Sequence, residues 1–317
     1  MVKIAVGQMT STSSKMQNFN VCAGLVKEAR EAGASFLALP ECFSFIGERW
    51  MDTVKAAEPL TGPSMTRYRN LAKEHGIWLS LGGFQETVPD AVSSGPHPPT
   101  STDLRCGRVR RAEWTAGGNK VYNTHVIVSG TGDIQAAYRK IHLFDVEIPG
   151  GPVLMESRYT QAGSELSICS GSPAGSLGLS TCYDLRFPEM YTCLGKDSHV
   201  MLVPSAFTVP TGKAHWEVLL RARAIETQTY VIASAQVGQH NEKRASYGHS
   251  LIVDPWGQVL ADAGGEDSPC IRTVEIDLSK VEEVRRSMPI QEHRRAGGPL
   301  FAQQMLQDVA DFGKAAL

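Results

Sequence analysis

The segment FLALPECFSF, residues 36–45, decides the fold, because four apolar residues stand directly before a proline and a carboxylate. Such a short apolar run before Pro40 is typical of a strand that lies buried in a sheet. The flanking sequence has the periodicity of two further strands and two helices: a strand over 2–8, a helix over 17–32, a helix over 64–76 and a strand over 77–81. This β-α-β-α-β order predicts an α/β fold with a central sheet.

The rest of the chain adds more strands than this first scheme contains, and we therefore expect the sheet to be doubled. A helix is predicted over 214–228, and apolar runs predict strands over 121–128, 134–138, 176–181, 199–203, 230–236, 250–253, 259–261 and 271–276. Residues 89–118 are rich in Pro, Ser, Gly and Arg, which predicts a surface insertion.

Composition excludes several classes of protein. The 317 residues carry a net charge of -2, with 42% hydrophobic and 20% charged residues, near the average of globular proteins. Global disorder, a coiled coil and a basic nucleic-acid binder do not fit these values, and no membrane association is expected. The seven scattered cysteines include no CxxC pair, so we expect neither a disulfide framework nor a metal site. Since the N-terminal segment does not have the pattern of a secretory signal, the sequence predicts a cytoplasmic protein.

Three residues at predicted strand ends can carry chemistry: Glu41 in FLALPECFSF, Lys140 in AYRKIHLFD and Cys182 in GLSTCYDLRFPE. Taken singly, each has a simpler interpretation as a packing thiol or a surface charge. Taken together, they supply a nucleophile, a general base and a cation for an oxyanion. Backbone N–H groups after Cys182 are expected to contribute to the same oxyanion hole.

A pair of Cys182 with a histidine base is the competing arrangement, and His142, His199 and His215 are its candidates. No local signature of a cysteine peptidase surrounds Cys182, which favours the set of Glu41, Lys140 and Cys182.

The segments LPECF, YRKIHLFD and STCYDLRFPE resemble the three catalytic motifs of the carbon–nitrogen hydrolase (nitrilase) superfamily, over about residues 1–295. The resemblance implies an α-β-β-α sandwich and a Glu41-Lys140-Cys182 triad. It also implies that Glu156 is a second active-site glutamate and that the Tyr183 backbone N–H shares oxyanion binding with Lys140. The resemblance further implies that the chain needs no cofactor, acts on a small amide and assembles as a homodimer or larger homo-oligomer.

The segments TGKAHWEVLLRARAIETQTYVIASAQVG (211–238) and HNEKRASYGHSLIVDPWG (240–257) resemble the Nit branch of this family. Together with SLGGFQE (80–86), they imply an amidase that hydrolyses deaminated glutathione to 2-oxoglutarate and Cys-Gly through a cysteinyl thioester. An ω-amidase acting on 2-oxoglutaramate and similar α-keto acid amides is the alternative within the branch. A catalytically silent interaction protein is the alternative from another class.

Other residues near the motifs are candidates for substrate binding. Arg186 suits a substrate carboxylate, and it equally suits an internal ion pair with Glu189. Phe207 and Thr208 follow the strand predicted over 199–203 and are expected to line the pocket. His215 and Trp216 are expected to begin a helix and to pack.

The domain organisation follows from the extent of the resemblance. We expect one carbon–nitrogen hydrolase domain over 1–295, which includes the insertion, and a helical C-terminal tail over 296–317 without an assigned role.

Overall fold

Two sheets lie face to face, and helices cover the outer side of each one. The computed structural model describes residues 1–88, 120–147 and 153–294. In these ranges the strands are β1 (Val2–Met9), β2 (Phe36–Leu39), β3 (Trp78–Thr87), β4 (Val121–Val128), β5 (Ile134–Arg139), β6 (Asp145–Glu147), β7 (Val153–Met155), β8 (Ile168–Ser172), β9 (Gly175–Leu179), β10 (Val200–Leu202), β11 (Tyr230–Ala233), β12 (Ala235–Asn241), β13 (Arg244–Tyr247), β14 (Leu251–Val253), β15 (Val259–Asp262) and β16 (Cys270–Ile276). The helices are α1 (Lys15–Glu31), α2 (Trp50–Ala56), α3 (Pro63–His75), α4 (Pro188–Gly195), α5 (Val209–Thr227), α6 (Ser279–Ser287) and α7 (Ile290–His293). Two 3₁₀ turns cover Glu156–Arg158 and Cys182–Arg186.

The first sheet has the strand order β13-β12-β1-β2-β3-β4-β5, and β16 pairs antiparallel with β1. Strands β1, β2 and β3 are parallel, as the β-α-β-α-β pattern requires. The second sheet has the order β15-β14-β11-β10-β9-β8, in which β9, β10 and β11 are parallel. Strands β6 and β7 form a separate two-stranded ribbon.

Alternation along the strands of the first sheet sends side chains into two different cores. One set packs with α1 and α3 and includes Ala5, Leu37, Leu39, Val126 and Val128. The other set packs towards the second sheet and includes Ile4, Val6, Phe36, Ala38 and Ile127. Since α4 and α5 pack in the latter core through buried residues such as Tyr191 and Leu220, the layers run α-β-β-α. The predicted α/β sandwich is confirmed.

Local signals explain where the helices begin and end. The Ser14 side chain accepts a hydrogen bond from the N–H of Gln17 and caps α1, and Pro63 occupies the first turn of α3. The helix α3 ends at Gly76, whose φ of 58° lies in the left-handed region that favours glycine. The helix that was expected to start at residue 214 begins instead at Val209, because proline fits the first turn of a helix. His215 and Trp216 therefore lie within this helix, not at its start.

The segment 230–236, expected to be one strand, is divided between the two sheets. Strand β11 belongs to the second sheet, β12 belongs to the first, and the buried Ser234 alone separates them. Both halves are buried, so the hydrophobic pattern carries no sign of the change.

Two expectations fall outside the described residues. The insertion over 89–118 lies there entirely, and so does the tail over 296–317. The division of the chain into a domain over 1–295 and a tail stays a prediction. In the described ranges, no helix combines the length and the apolar character that crossing a bilayer requires.

Candidate active site

The candidate catalytic residues meet at one end of the sandwich, where strands of both sheets stop. Glu41 follows β2 and Lys140 follows β5 in the first sheet, whereas Cys182 follows β9 in the second. The Lys140 Nζ lies 3.1 Å from Glu41 Oε1, and the Cys182 side chain interacts with the same carboxylate. The structure thus brings together three side chains that are 99 and 42 residues apart in the chain.

Glu41 is held on several sides, and only 4% of its surface is exposed. Asn123 Nδ2 donates to its Oε1 at 2.9 Å, and Gln236 Nε2 donates to its backbone carbonyl at 2.9 Å. Gly83 lies against the Glu41 side chain with a φ of 65°, and a Cβ there would stand 2.6 Å from Glu41 Cγ. A glycine is therefore required at this position for both backbone conformation and space.

Lys140 lies between two carboxylates and is 2% exposed. Its Nζ is 3.1 Å from Glu41 Oε1 and 2.9 Å from Glu156 Oε2. The Phe144 N–H donates to Glu156 Oε2 at 2.7 Å, which fixes that carboxylate. Asn123 Nδ2 also reaches Glu156 Oε1 at 3.2 Å and so bridges both acids. The lysine is held rigidly, in a position set by Glu41 and Glu156 together.

Cys182 begins a tight 3₁₀ turn in a strained backbone conformation. Its φ is 51°, which is uncommon for a residue with a side chain, and its N–H donates to the Pro204 carbonyl at 2.9 Å. The Tyr183 N–H that follows has no acceptor among the described residues. It is therefore free to bind an anion beside the thiol.

Burial and charge fix the resting ionisation of these groups. Burial opposes ionisation of Glu41, but Lys140, the Cys182 thiol and Asn123 together lower its pKa below the ordinary value. Burial raises the pKa of the Cys182 thiol well above its usual range, and the Glu41 carboxylate raises it further. Burial disfavours the Lys140 cation, yet Glu156 and Glu41 raise its pKa well above normal. The site rests as a carboxylate, an ammonium and a neutral thiol.

Asp184, which the sequence analysis did not single out, joins the lysine segment to the cysteine turn. It is fully buried and accepts hydrogen bonds from Tyr138 Oη at 2.7 Å and from the Thr181 N–H at 2.9 Å. The backbone N–H and Nδ1 of His142 also bond to Asp184, at 3.0 and 2.7 Å. His142 is therefore occupied with Asp184, which does not favour it as the base for Cys182.

The substrate-binding candidates lie at different distances from this centre. The Arg186 guanidinium faces the rings of Phe207 and Tyr183 at 5.6 and 5.9 Å, and it bonds to His215 Nδ1 at 3.3 Å. No ion pair between Arg186 and an acid occurs within the described ranges. Phe207 follows Ala206, whose backbone is hydrogen-bonded to Cys182. Thr208 stands at the start of α5, where its hydroxyl pairs with Thr211 at 2.8 Å, and the structure does not bring it to the triad.

Three further residues at the site were missed by the sequence analysis: Asn123, Gln236 and Arg244. Their residue types offer a signal in retrospect. Asn123 and Gln236 are amides within largely buried strands, and Arg244 directly follows a turn. Among residues 1–88, 120–147 and 153–294, no cluster of three or more His, Cys, Asp or Glu side chains is arranged to hold a metal ion.

The chain is similar in sequence and in structure to several known proteins. Deaminated glutathione amidase of Homo sapiens is 46% identical over 293 residues, which cover 92% of this chain and 82% of the human protein. The crystal structure of the C. elegans NitFhit protein is 42% identical with a TM-score of 0.78, and the match covers 93% of this chain and 65% of that longer protein. Nit3 of Saccharomyces cerevisiae, a member of branch 10 of the nitrilase superfamily, is 28% identical with a TM-score of 0.72 over 93% of this chain and 96% of Nit3. The profile described as carbon-nitrogen hydrolase matches residues 3–286, and the chain belongs to this family.

Proposed function

We propose that this protein is an amidase that hydrolyses deaminated glutathione to 2-oxoglutarate and Cys-Gly through a cysteinyl thioester. The observation that carries the proposal is the contact of a thiol, a carboxylate and an ammonium group at one buried point. The human relative, 46% identical, is named deaminated glutathione amidase, which supports this substrate.

Acylation begins when the amide carbonyl lies against Cys182. Glu41 takes the thiol proton as Sγ attacks the carbonyl carbon. This transfer can begin directly because Glu41 rests as a carboxylate and Cys182 rests as a neutral thiol. The Lys140 ammonium and the Tyr183 N–H bind the oxyanion that forms. Glu41 then returns the proton to the amide nitrogen, the C–N bond breaks, and Cys-Gly leaves.

Deacylation uses the same groups with water as the nucleophile. Glu41 takes a proton from water, which attacks the thioester carbonyl, and Lys140 and Tyr183 again hold the oxyanion. The C–S bond breaks, 2-oxoglutarate leaves, and Glu41 returns the proton to the thiolate of Cys182. Glu156 holds Lys140 in place, since its Oε2 contacts the lysine at 2.9 Å.

Arg186 is the proposed cation for the α-keto acid end of the substrate. It lies on the turn that begins with Cys182, and none of the described residues supplies it with an acidic partner. Phe207, beside Arg186, is the proposed apolar wall of the acyl pocket. The role of Thr208 stays a prediction, because its hydroxyl is engaged with Thr211.

We further propose that the protein works in the cytoplasm as a homodimer or larger homo-oligomer. Cys22, Cys42, Cys169, Cys182 and Cys270 are free thiols, which fits a reducing compartment. The outer face of α5 exposes 70% of Val218 and 48% of Ile225, and Trp256 beside this helix is 61% exposed. Arg221 Nε donates to the Gly257 carbonyl at 2.8 Å, which fixes the turn carrying Trp256 against α5. We call Val218, Ile225 and Trp256 the α5 patch, and we expect a second copy of the chain to cover it.

The test is kcat/KM of the purified protein for deaminated glutathione and for 2-oxoglutaramate, with 2-oxoglutarate and Cys-Gly or ammonia measured as products. We expect a preference for deaminated glutathione, and Cys182→Ala should retain less than about 1% of the rate. The control Cys270→Ala removes a thiol whose charged neighbours are Arg272, Glu28 and Glu266 and not the triad, and it should be fully active.

Two other results would contradict the proposal. A preference for 2-oxoglutaramate would assign an ω-amidase and leave the triad unaffected. Failure on both substrates with folded protein would assign an interaction protein.

A further inference from the structure

Arg244 stands at the start of β13, in a hairpin that is docked on both sides of the cleft. Near the tip, Asn241 Nδ2 donates to the Gly47 carbonyl at 3.2 Å, in the loop that follows Glu41. Further along β13, the Tyr247 N–H donates to the Phe207 carbonyl at 3.0 Å. The hairpin therefore connects the glutamate side of the cleft to the cysteine side.

The Arg244 side chain is exposed to solvent and still acts on the buried centre. Partial removal from water lowers the pKa of Arg244, but Cys42, Tyr159 and Glu41 raise it, so the guanidinium stays charged. In return, the positive charge of Arg244 helps to lower the pKa of Glu41. An arginine that is open to solvent and also within electrostatic reach of Glu41 lines the entrance of the site.

No acid neutralises Arg244 within the part of the chain that the structure describes, and its side chain donates no hydrogen bond there. Other arginines near the core do have partners: Arg139 forms two hydrogen bonds with Glu86, and Arg223 pairs with Glu226. Arginine geometry matches a carboxylate through two parallel hydrogen bonds. An unpaired arginine at the mouth of an amidase site is thus prepared for an anionic ligand.

The chemistry of the reaction distinguishes the two ends of the substrate. Glu41 returns the proton to the departing nitrogen, so the leaving group must lie on the Glu41 side of the carbonyl. Arg244 pairs with Asn241, which contacts the loop that follows Glu41, and this places it on that side. In agreement, its charge interacts more strongly with Cys42, Tyr159 and Glu41 than with Cys182. Arg186 stands on the opposite side, against Tyr183 and Phe207.

We propose that Arg244 binds the terminal carboxylate of the leaving Cys-Gly dipeptide and makes the enzyme selective for a dipeptide over ammonia as the leaving group. This inference rests on the proposed function. It assigns one cation to each carboxylate of deaminated glutathione, with Arg186 on the acyl half and Arg244 on the leaving half.

The experiment compares Arg244→Met, which keeps an unbranched apolar stem without the charge, with the wild type on three substrates. These are deaminated glutathione, its analogue in which the glycine carboxylate is a carboxamide, and 2-oxoglutaramate. We expect the variant to lose about 10- to 100-fold in kcat/KM on deaminated glutathione, as a lost charged hydrogen bond predicts. Rates on the other two substrates should change less than about threefold, since neither presents the carboxylate.

Two controls make the result specific. Lys243→Met removes the neighbouring exposed cation of the same hairpin and should leave all three rates unchanged. Arg244→Lys keeps the charge without the planar fork and should restore part of the selectivity.

Several outcomes would overturn the inference. An equal loss on all three substrates would place Arg244 on the acyl half or in the fold, and no loss on any of them would remove it from substrate binding. A wild type that ignores deaminated glutathione would refute the proposed function itself, and the wild-type rates show this separately from the variant's ratios.

Discussion

Lys140 is the residue on which the charge balance of the site depends. It is a buried cation between Glu41 and Glu156, and it remains charged because both carboxylates are within 3.2 Å of its Nζ. A buried ion pair is of little net benefit to stability while it is intact, but removing one partner leaves an uncompensated charge. Here the loss of one lysine would leave two such charges facing each other.

Lys140→Ala should lower kcat by at least about 10²-fold, because the oxyanion loses its cationic donor. It should also lower the melting temperature, since Glu41 and Glu156 then repel each other in a buried place. Steady-state kinetics and thermal unfolding check both effects, with Lys27→Ala, an exposed lysine of α1, as the control. Retained activity would show that Lys140 is simply a member of an ion pair.

The same charges predict the dependence of activity on pH. The pKa of Glu41 lies below its ordinary 4.5, so the general base stays ionised until the pH falls below that value. The pKa of Lys140 lies well above 10.5, so the ammonium is kept throughout the neutral and moderately alkaline range. Protonation of Glu41 abolishes the base, and activity is therefore lost on the acid side only as pH drops below 4.5.

A profile of kcat against pH, with circular dichroism recorded at each point, checks this expectation. An acid limb centred above about pH 5.5 in folded protein would contradict the lowered pKa of Glu41.

Among the elements, the 3₁₀ turn that begins at Cys182 depends on a residue that does not itself react. Asp184 accepts from Tyr138, at the end of β5, and from the Thr181 N–H, directly before Cys182. One buried carboxylate thus sets the position of Lys140 relative to the nucleophile. Each charged hydrogen bond of this kind contributes about 1.5–3 kcal/mol.

Asp184→Asn should lower kcat about 10- to 100-fold and leave KM nearly unchanged, because the amide keeps the shape but cannot accept from all four donors. The melting temperature should fall by several degrees. Asp133→Asn, in the exposed turn between β4 and β5, is the matched control for removing an acid. If kcat for Asp184→Asn equalled the wild-type value, Asp184 would have no positioning role.

Elements with clear periodicity were predictable, and elements defined by distant partners were not. The strand over 121–128 and the helix over 64–76 appear nearly as expected, because local spacing decides them. The short helices α2 and α4 were missed, since fewer than nine residues show little periodicity.

In the candidate site, too, the sequence predicted the residues with a local signal and missed those defined by distant contacts. Glu41, Lys140 and Cys182 stood out through their positions at strand ends, and their proximity is seen in the structure. Their catalytic roles stay proposals. The Asn123 amide is a signal only in retrospect, and Asp184 bonds to His142, 42 residues away, so local periodicity indicates neither contact.

At the scale of the whole molecule, the α5 patch leads to a prediction about assembly. Light scattering at micromolar concentration should show at least a dimer, and Val218→Glu should shift it towards monomer by placing a charge in the apolar contact. Met16→Glu changes another exposed apolar residue, on α1 in the opposite helical layer, and should leave the assembly intact. A monomeric wild type would contradict the proposal.

The short passage at Ser234, from β11 in one sheet to β12 in the other, has a consequence for how the protein unfolds. The chain crosses again to β14 and β15, and it returns with β16 to pair with β1. Neither sheet can come apart without pulling strands out of its neighbour, so partial unfolding of a single layer is costly. Heat or denaturant should therefore disrupt both sheets of each protomer in one cooperative transition, and the catalytic cleft between them should persist until the whole fold is lost.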